Sequence, residues 1–282
     1  MTQPYNRLAN KSSLDIAWSR ENIAFTASIG LVWLLGSIVL LIFPPFLLLW
    51  TPICINILMG GVAYQVVNQV QNRTNKTLRQ KLKDTWSFVR SYWVSLVFAS
   101  WMLSAAIFIG YLLLQLIVFT ITSIPGIGGL IGSLLIIPMF ICVLAILAVS
   151  INTYLLPCVV GVEKSGPIRS ISLLVNVVTN NPLEMLLGYF KVLGSILPTG
   201  FWTGIITIAG TFASVLICKG SFAWQIANNP EASSGFLGFL DIGMLSISIG
   251  LIFFAWISYM LVFVSTGFTM LYYNVTRRGE VF

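Results

Sequence analysis

LRQKLKDTWSFVRSYWVSLVFASWMLSAAIFIGYLLLQLIVFTI, residues 78–121, places a basic segment of helical period directly before an uncharged apolar run. The second half, Val94–Ile121, contains no Asp, Glu, Lys or Arg. A helix needs about 20 apolar residues to cross the hydrocarbon core, so this run is long enough to span a bilayer. In the first half, Leu78, Leu82, Trp86, Val89 and Trp93 recur at helical spacing. Arg79, Lys83, Asp84, Ser87 and Arg90 fall on the other face. That pattern predicts an amphipathic helix over 76–93 lying in the headgroup region.

Five more apolar runs flank this one, at Ile23–Phe43, Pro52–Tyr64 (reaching a spanning length only if it extends to Val70), Leu130–Val160, Met185–Cys218 and Ile242–Tyr273. The composition, 57% hydrophobic and 8% charged, is too apolar for any soluble core to hide. Lipid offers the backbone no hydrogen bonds, so each span must be helical. An outer-membrane barrel would show short alternating strands, not continuous runs. The expected fold is an all-α integral membrane protein with six transmembrane helices, at about 23–43, 52–70, 94–121, 130–157, 185–217 and 242–273. Residues 1–22 form a cytoplasmic N-terminal segment, 23–276 a single six-helix membrane domain, and 277–282 a cytoplasmic tail. The first run is too long for a cleaved signal core and lacks a small-x-small cleavage site, so it is expected to remain as an anchor.

Charge sets the orientation. Of the 15 Lys and Arg residues, all but Lys219 fall on one side of such a bundle. They are Arg7, Lys11 and Arg20; Arg73, Lys76, Arg79, Lys81, Lys83 and Arg90; Lys164, Arg169 and Lys191; and Arg277 and Arg278. The positive-inside rule then places both termini in the cytoplasm. An odd helix count would split these clusters across both faces.

The connections divide the same way. On the outer side, Thr51-Pro52 reads as an N-cap with Pro at the first helical position, and Lys219 to Asp241 is the only sizeable loop. On the inner side, Ile168, Ile171, Val175 and Val178 repeat the amphipathic pattern, which predicts a second interface helix over 167–180, with Pro167 at its first position after Gly166. The chain can therefore be divided into three geometrically similar units of interface helix plus hairpin, about 10–70, 76–160 and 165–276, whose residue identities barely match.

Candidate chemistry is sparse. The chain has no histidine, which removes the usual ligand of haem, zinc or copper and the usual general base near neutral pH. Cys54, Cys142, Cys158 and Cys218 form no CxxC pair and suit small buried hydrophobes. Glu184 and Lys191, seven positions apart, share a helix face and would suit a relay. Asn181-Pro182-Leu183-Glu184 fits a helix start better, and Lys191 can snorkel. Asn56, Gln115 and Asn152 are polar groups at membrane depth, serving either as helix-to-helix hydrogen bonds or as the lining of a solute path. Gly200-x3-Gly204 and Gly210-x3-Ser214 allow close helix contact. Pro138 and Pro198 should kink their spans.

Leu156-Pro157-Cys158-Val159-Val160-Gly161-Val162-Glu163-Lys164-Ser165-Gly166-Pro167-Ile168-Arg169-Ser170-Ile171 resembles a segment of six-span bacterial membrane proteins, among them the membrane domain attached to some glycerophosphodiester phosphodiesterases. Pro157, Glu163, Gly166 and Pro167 match by position. Ser170 and Leu174 depart from the family's usual Ala and Ser. The resemblance covers about twenty residues and implies architecture alone, with Glu163, Gly166 and Pro167 as a structural turn. The phosphodiesterase activity belongs to a separate soluble domain, so nothing catalytic carries over.

The expected function is non-catalytic: an accessory, assembly or scaffolding partner of a membrane complex, in a bacterial inner or related, thylakoid-like, membrane. No catalytic, cofactor or metal residue is assigned and no nucleic acid is expected. Arg79, Lys83, Trp86, Arg90 and Trp93 are the expected contacts with an anionic inner leaflet or with other membrane proteins. The alternative is a transporter or channel for a neutral or lipid-like solute, using Asn56, Gln115 and Asn152.

Overall fold

In the computed structural model the described residues are 16–17, 19–40, 45–71, 76–124, 132–139, 142–143, 146, 153–228 and 236–277, of which 45, 47–48, 216–228, 236–247 and 277 are described in backbone alone. Every regular element among them is helical: α1 (Arg20–Leu40), α2 (Pro45–Val70), α3 (Leu78–Thr122), α4 (Leu156–Glu163), α5 (Pro167–Asn180), α6 (Pro182–Asn228) and α7 (Phe236–Arg277). Five of these, α1, α2, α3, α6 and α7, contain stretches long and apolar enough to cross a membrane. That set is compatible with a multi-pass integral membrane protein. Of the expected span at 130–157, residues 132–139 are helical and much of the remainder lies outside the described residues.

Helix α2 is the hub, packing against α1, α3, α4 and α7. Its candidate span is 61% buried, whereas the most apolar window of α3 has no buried residue. Inside a bilayer, apolar surface gains nothing by leaving lipid, so the least apolar helix takes the centre. Its sequence suits that place: Gly60, Gly61 and Ala63 let neighbours approach. Phe25 of α1 lies over Gly61, Leu96 of α3 over Gly60, and Gly161 of α4 against the backbone of Gly60 and Tyr64. From α7, the Ser265 hydroxyl donates to Met59 O at 2.7 Å.

The α6–α7 seam uses the same device. A Cβ at Gly200 would meet Met260, one at Gly204 Trp256, and one at Gly267 Val192. Trp256 Nε1 donates to Thr203 Oγ1 at 3.1 Å across this seam. The first small-residue motif thus faces a partner helix. Gly210 has nothing within 4 Å, so the second does not. Pro198 lies inside α6, where it leaves the Gly194 carbonyl without its helical donor.

Four boundaries differ from the sequence reading. Helix α2 starts at Pro45, and Pro52 sits inside it. Thr51 does not cap this helix; its hydroxyl accepts from Trp33 Nε1 at 3.2 Å. Residues 78–122 form one helix of 45 residues, with no break where the interface segment was expected to give way to the span. Helix α4 runs to Glu163, beyond the expected span end at 157, because Leu156 to Gly161 are buried against the hub. Much of the stretch expected as a loop, Lys219 to Asp241, is helical, since α6 continues to Asn228 and α7 begins at Phe236. Of the three units, the second therefore joins amphipathic segment to span without interruption, whereas Asn181 separates α5 from α6 in the third.

Candidate functional site

The turn after α4 builds the most polar cavity described. Lys164 ends the helix in the left-handed conformation, φ 50° and ψ 45°, and its N–H donates to Val160 O at 2.9 Å. Among the described residues it is the only non-glycine with positive φ, a conformation that costs an L-residue about 1–2 kcal/mol. Its ammonium lies 5.0 Å from the centre of the Tyr64 ring, an attraction that offsets part of the strain. Ser165 is buried, and its Oγ pairs with Ser170 Oγ at 2.7 Å. Gly166 then caps α5 in extended conformation and Pro167 occupies its first turn. Because Gly166 has φ −68° and open space at its Cβ position, the residue that carries strain here is Lys164, which the sequence reading passed over.

This turn lays α5 across α3 and α4. Glu163, Asn176, Asn180, Asn181, Tyr272 and Thr276 then surround a cavity of about 360 Å³. A second cavity, also about 360 Å³, is apolar and lies between α1 and α7, with Gly30, Phe254 and Ser258 in its wall.

The expected membrane-contact residues separate. Arg79, Lys83 and Arg90 are exposed. Trp93 is half-exposed, whereas Trp86 turns inward and meets Phe25 edge-on, ring centres 5.8 Å apart. Trp86 is thus part of the fold instead of a free contact. The packed face is Lys81, Leu82, Thr85, Phe88 and Val89, rotated from the expected stripe. Polar partners cause the rotation: Gln65 Nε2 donates to Thr85 Oγ1 at 3.1 Å, and Phe88 stacks on Tyr64 at 4.6 Å. In α5, likewise, Ser170 and Leu174 are buried while Ile168 and Val175 are exposed.

The intramembrane polar residues do not converge. Asn56 is buried in α2. Gln115 is exposed on α3 and donates to Tyr111 Oη on its own helix. Leu96 marks where α3 crosses Gly60; Gln115 lies about 28 Å further along the helix. Asn152 falls outside the described residues. Glu184 and Lys191 are both exposed, which gives a relay through the bundle no footing. Cys54, Cys142 and Cys158 are unpaired thiols, and among the described residues no group of ligand-bearing side chains could hold a metal.

A second polar cluster was missed entirely. Lys81 Nζ pairs with Glu21 Oε1 at 2.5 Å, both side chains about one-fifth exposed, and Gln69 Nε2 donates to Glu21 Oε2 at 2.6 Å. This ties α1, α2 and α3 together at one end. Helical period alone could not find it, because the partners lie sixty positions apart. Reversing Lys81 to Glu is expected to destabilise the fold by about 2 kcal/mol, below the full value for a buried pair because solvent reaches it. The double swap, Glu21→Lys with Lys81→Glu, should restore most of that in a detergent melt, whereas Lys83→Glu should melt like the parent. A double variant no better than Lys81→Glu would show that the pair does not join these helices.

Comparison with protein-family models, with curated proteins and with solved structures finds no match to this chain.

Proposed function

We propose that this chain is a non-catalytic, six-span membrane protein with both termini in the cytoplasm, acting as an accessory, assembly or scaffolding partner of a membrane complex. The observation that carries the proposal is the bare apolar flank of its long helices. Phe108, Leu112, Leu116 and Phe119 of α3, and Phe190, Leu197, Phe201 and Ile208 of α6, are largely exposed. These faces suit lipid or the spans of other proteins. Inside the bundle, most polar groups already bond to helix carbonyls: Ser265 to Met59, Thr266 to Val262, Thr269 to Ser265 and Thr211 to Thr207. Of these, the Ser265 bond to Met59 joins two helices and is worth about 0.6–2 kcal/mol, while the Thr bonds satisfy hydroxyls on their own helix. They do not line up as a solute path.

The one-sided distribution of Lys and Arg supports the orientation. With 45 residues, α3 is about 68 Å long against a hydrocarbon core of about 30 Å. Its cationic third therefore extends out of the bilayer on the cytoplasmic side. There Arg79, Lys83 and Arg90 attract an anionic leaflet by about 1 kcal/mol each. The exposed Ile168 and Val175 suit α5 for the interface.

Chain solubilised from native membranes in mild detergent is expected to migrate in an assembly well above its own 31.1 kDa, with other membrane proteins identified beside it by mass spectrometry. Purification as a lone chain, together with solute uptake by proteoliposomes that Asn56→Leu abolishes, would establish the transport reading instead.

A further inference from the structure

The cavity beside Glu163 has an electrostatic sign that an accessory role does not use. Two helices end around it: α4 at Glu163 and α5 at Asn180. Each C-terminus carries about half a negative charge from its unpaired carbonyls. Only α6 opens here with a positive end, and Glu184 in its first turn opposes that charge.

The hydrogen bonds already made leave several acceptors open. Asn180 Nδ2 donates to Asn176 Oδ1 at 2.8 Å. Thr276 Oγ1 gives its proton to Tyr272 O at 2.9 Å, which leaves its lone pairs free. Glu163 makes no hydrogen bond or ion pair with the described residues, and the neighbouring Lys164 ammonium lies over Tyr64. The cavity, about 360 Å³, falls at the small end of ligand pockets. A lone carboxylate is too few hard ligands for a divalent cation.

We propose that this cavity binds a primary ammonium group. An ammonium has three N–H donors. Glu163, Thr276 Oγ1 and Asn180 Oδ1 provide three acceptors, one of them charged. A quaternary ammonium has no N–H to give them, so the site should distinguish ethanolamine from choline. The ammonium could belong to an aminophospholipid headgroup or to a free amine. The inference stands apart from the accessory role, since it needs no protein partner.

The test uses the purified full chain, reconstituted with equal amounts of phosphatidylethanolamine and phosphatidylcholine of identical acyl chains, with retained lipids counted by native mass spectrometry. The expected result is an ethanolamine-lipid preference of about tenfold that Glu163→Gln abolishes, the scale of one charged hydrogen bond. Thr276→Val, which keeps the shape of a side chain bonded only to its own helix, should reduce the preference without loss of fold. A free amine is the ligand if lipids are retained equally yet ethanolamine raises the melting temperature of the parent and not of Glu163→Gln. Equal retention of both lipids, with no Glu163-dependent shift by ethanolamine, overturns the proposal. So does a preference that survives both substitutions.

Discussion

Gly161→Ala is expected to destabilise the protein by about 3 kcal/mol, the upper end for inserting a methyl group into a packed contact. The new Cβ would stand 2.6 Å from Gly60 O, 2.7 Å from Ala63 Cβ and 3.1 Å from Tyr64 N. Two of these atoms are backbone of the hub helix, so no rotamer change relieves the clash; α2 and α4 must move apart. That movement also disturbs the Ser265 bond to Met59 O and the Cys158 contact with Ser265, because all three helices meet within one turn. Two controls bracket the effect. Gly200→Ala meets only the terminal methyl of Met260, a side chain that can swing away, and should cost far less. Gly110→Ala meets nothing and should gain about 0.5–1 kcal/mol of helix stability. Thermal unfolding in detergent, followed by tryptophan fluorescence, orders the three. If Gly161→Ala melts with the parent, α2 and α4 are not in contact and the hub is wrong.

The pattern that made this chain legible is the coarse one. Runs such as Val94–Ile121 announce membrane helices because lipid demands continuous apolar length. Helical turns with strong local chemistry were also legible: Gly166-Pro167 does open α5 at the expected residue, and Gly200-x3-Gly204 does face another helix. The hub was not legible, because in lipid the central helix is marked by small and polar residues instead of greater hydrophobicity. Pro52 misled for a local reason. Pro45 took the first position, and Pro52 sits inside the helix, where it leaves the Leu48 carbonyl without its helical donor. Buried faces were mistaken where polar groups decide orientation. Thr85 and Ser170 break the apolar stripes of their helices, yet each is completely buried because it meets a specific partner, Gln65 or Ser165. Of the candidate site, Glu163 could be named from sequence. Its neighbours Asn176, Asn180 and Thr276 could not, since their roles depend on how the turn at Lys164 folds α5 back.

Val94→Pro should unfold the end of the bundle that holds Phe88 and Tyr64, at a cost of about 3 kcal/mol or more. The expected division at residues 93 and 94 would make that position a joint, and a joint accepts proline: Asn181-Pro182 is such a place, where α5 ends and α6 begins. The structure instead carries α3 through this point without interruption. A proline at 94 would remove the bond from its own N–H to Arg90 O and press its ring against that carbonyl. The loss extends beyond one hydrogen bond because α3 holds two contacts in fixed register across the site. Phe88 stacks on Tyr64 below it, and Leu96 covers Gly60 above it. Thr77 and Gln80 anchor the same helix at its start with a reciprocal capping box, so a kink cannot be absorbed by restarting the helix later without losing that cap. Ser91→Ala, three residues away on an exposed position, should be neutral. Yield and melting temperature of the two variants in detergent separate the cases. A Val94→Pro protein as stable as Ser91→Ala would show that the amphipathic segment is a hinged element that can lie in the headgroup plane, whereas its loss means that segment and span move as one rod.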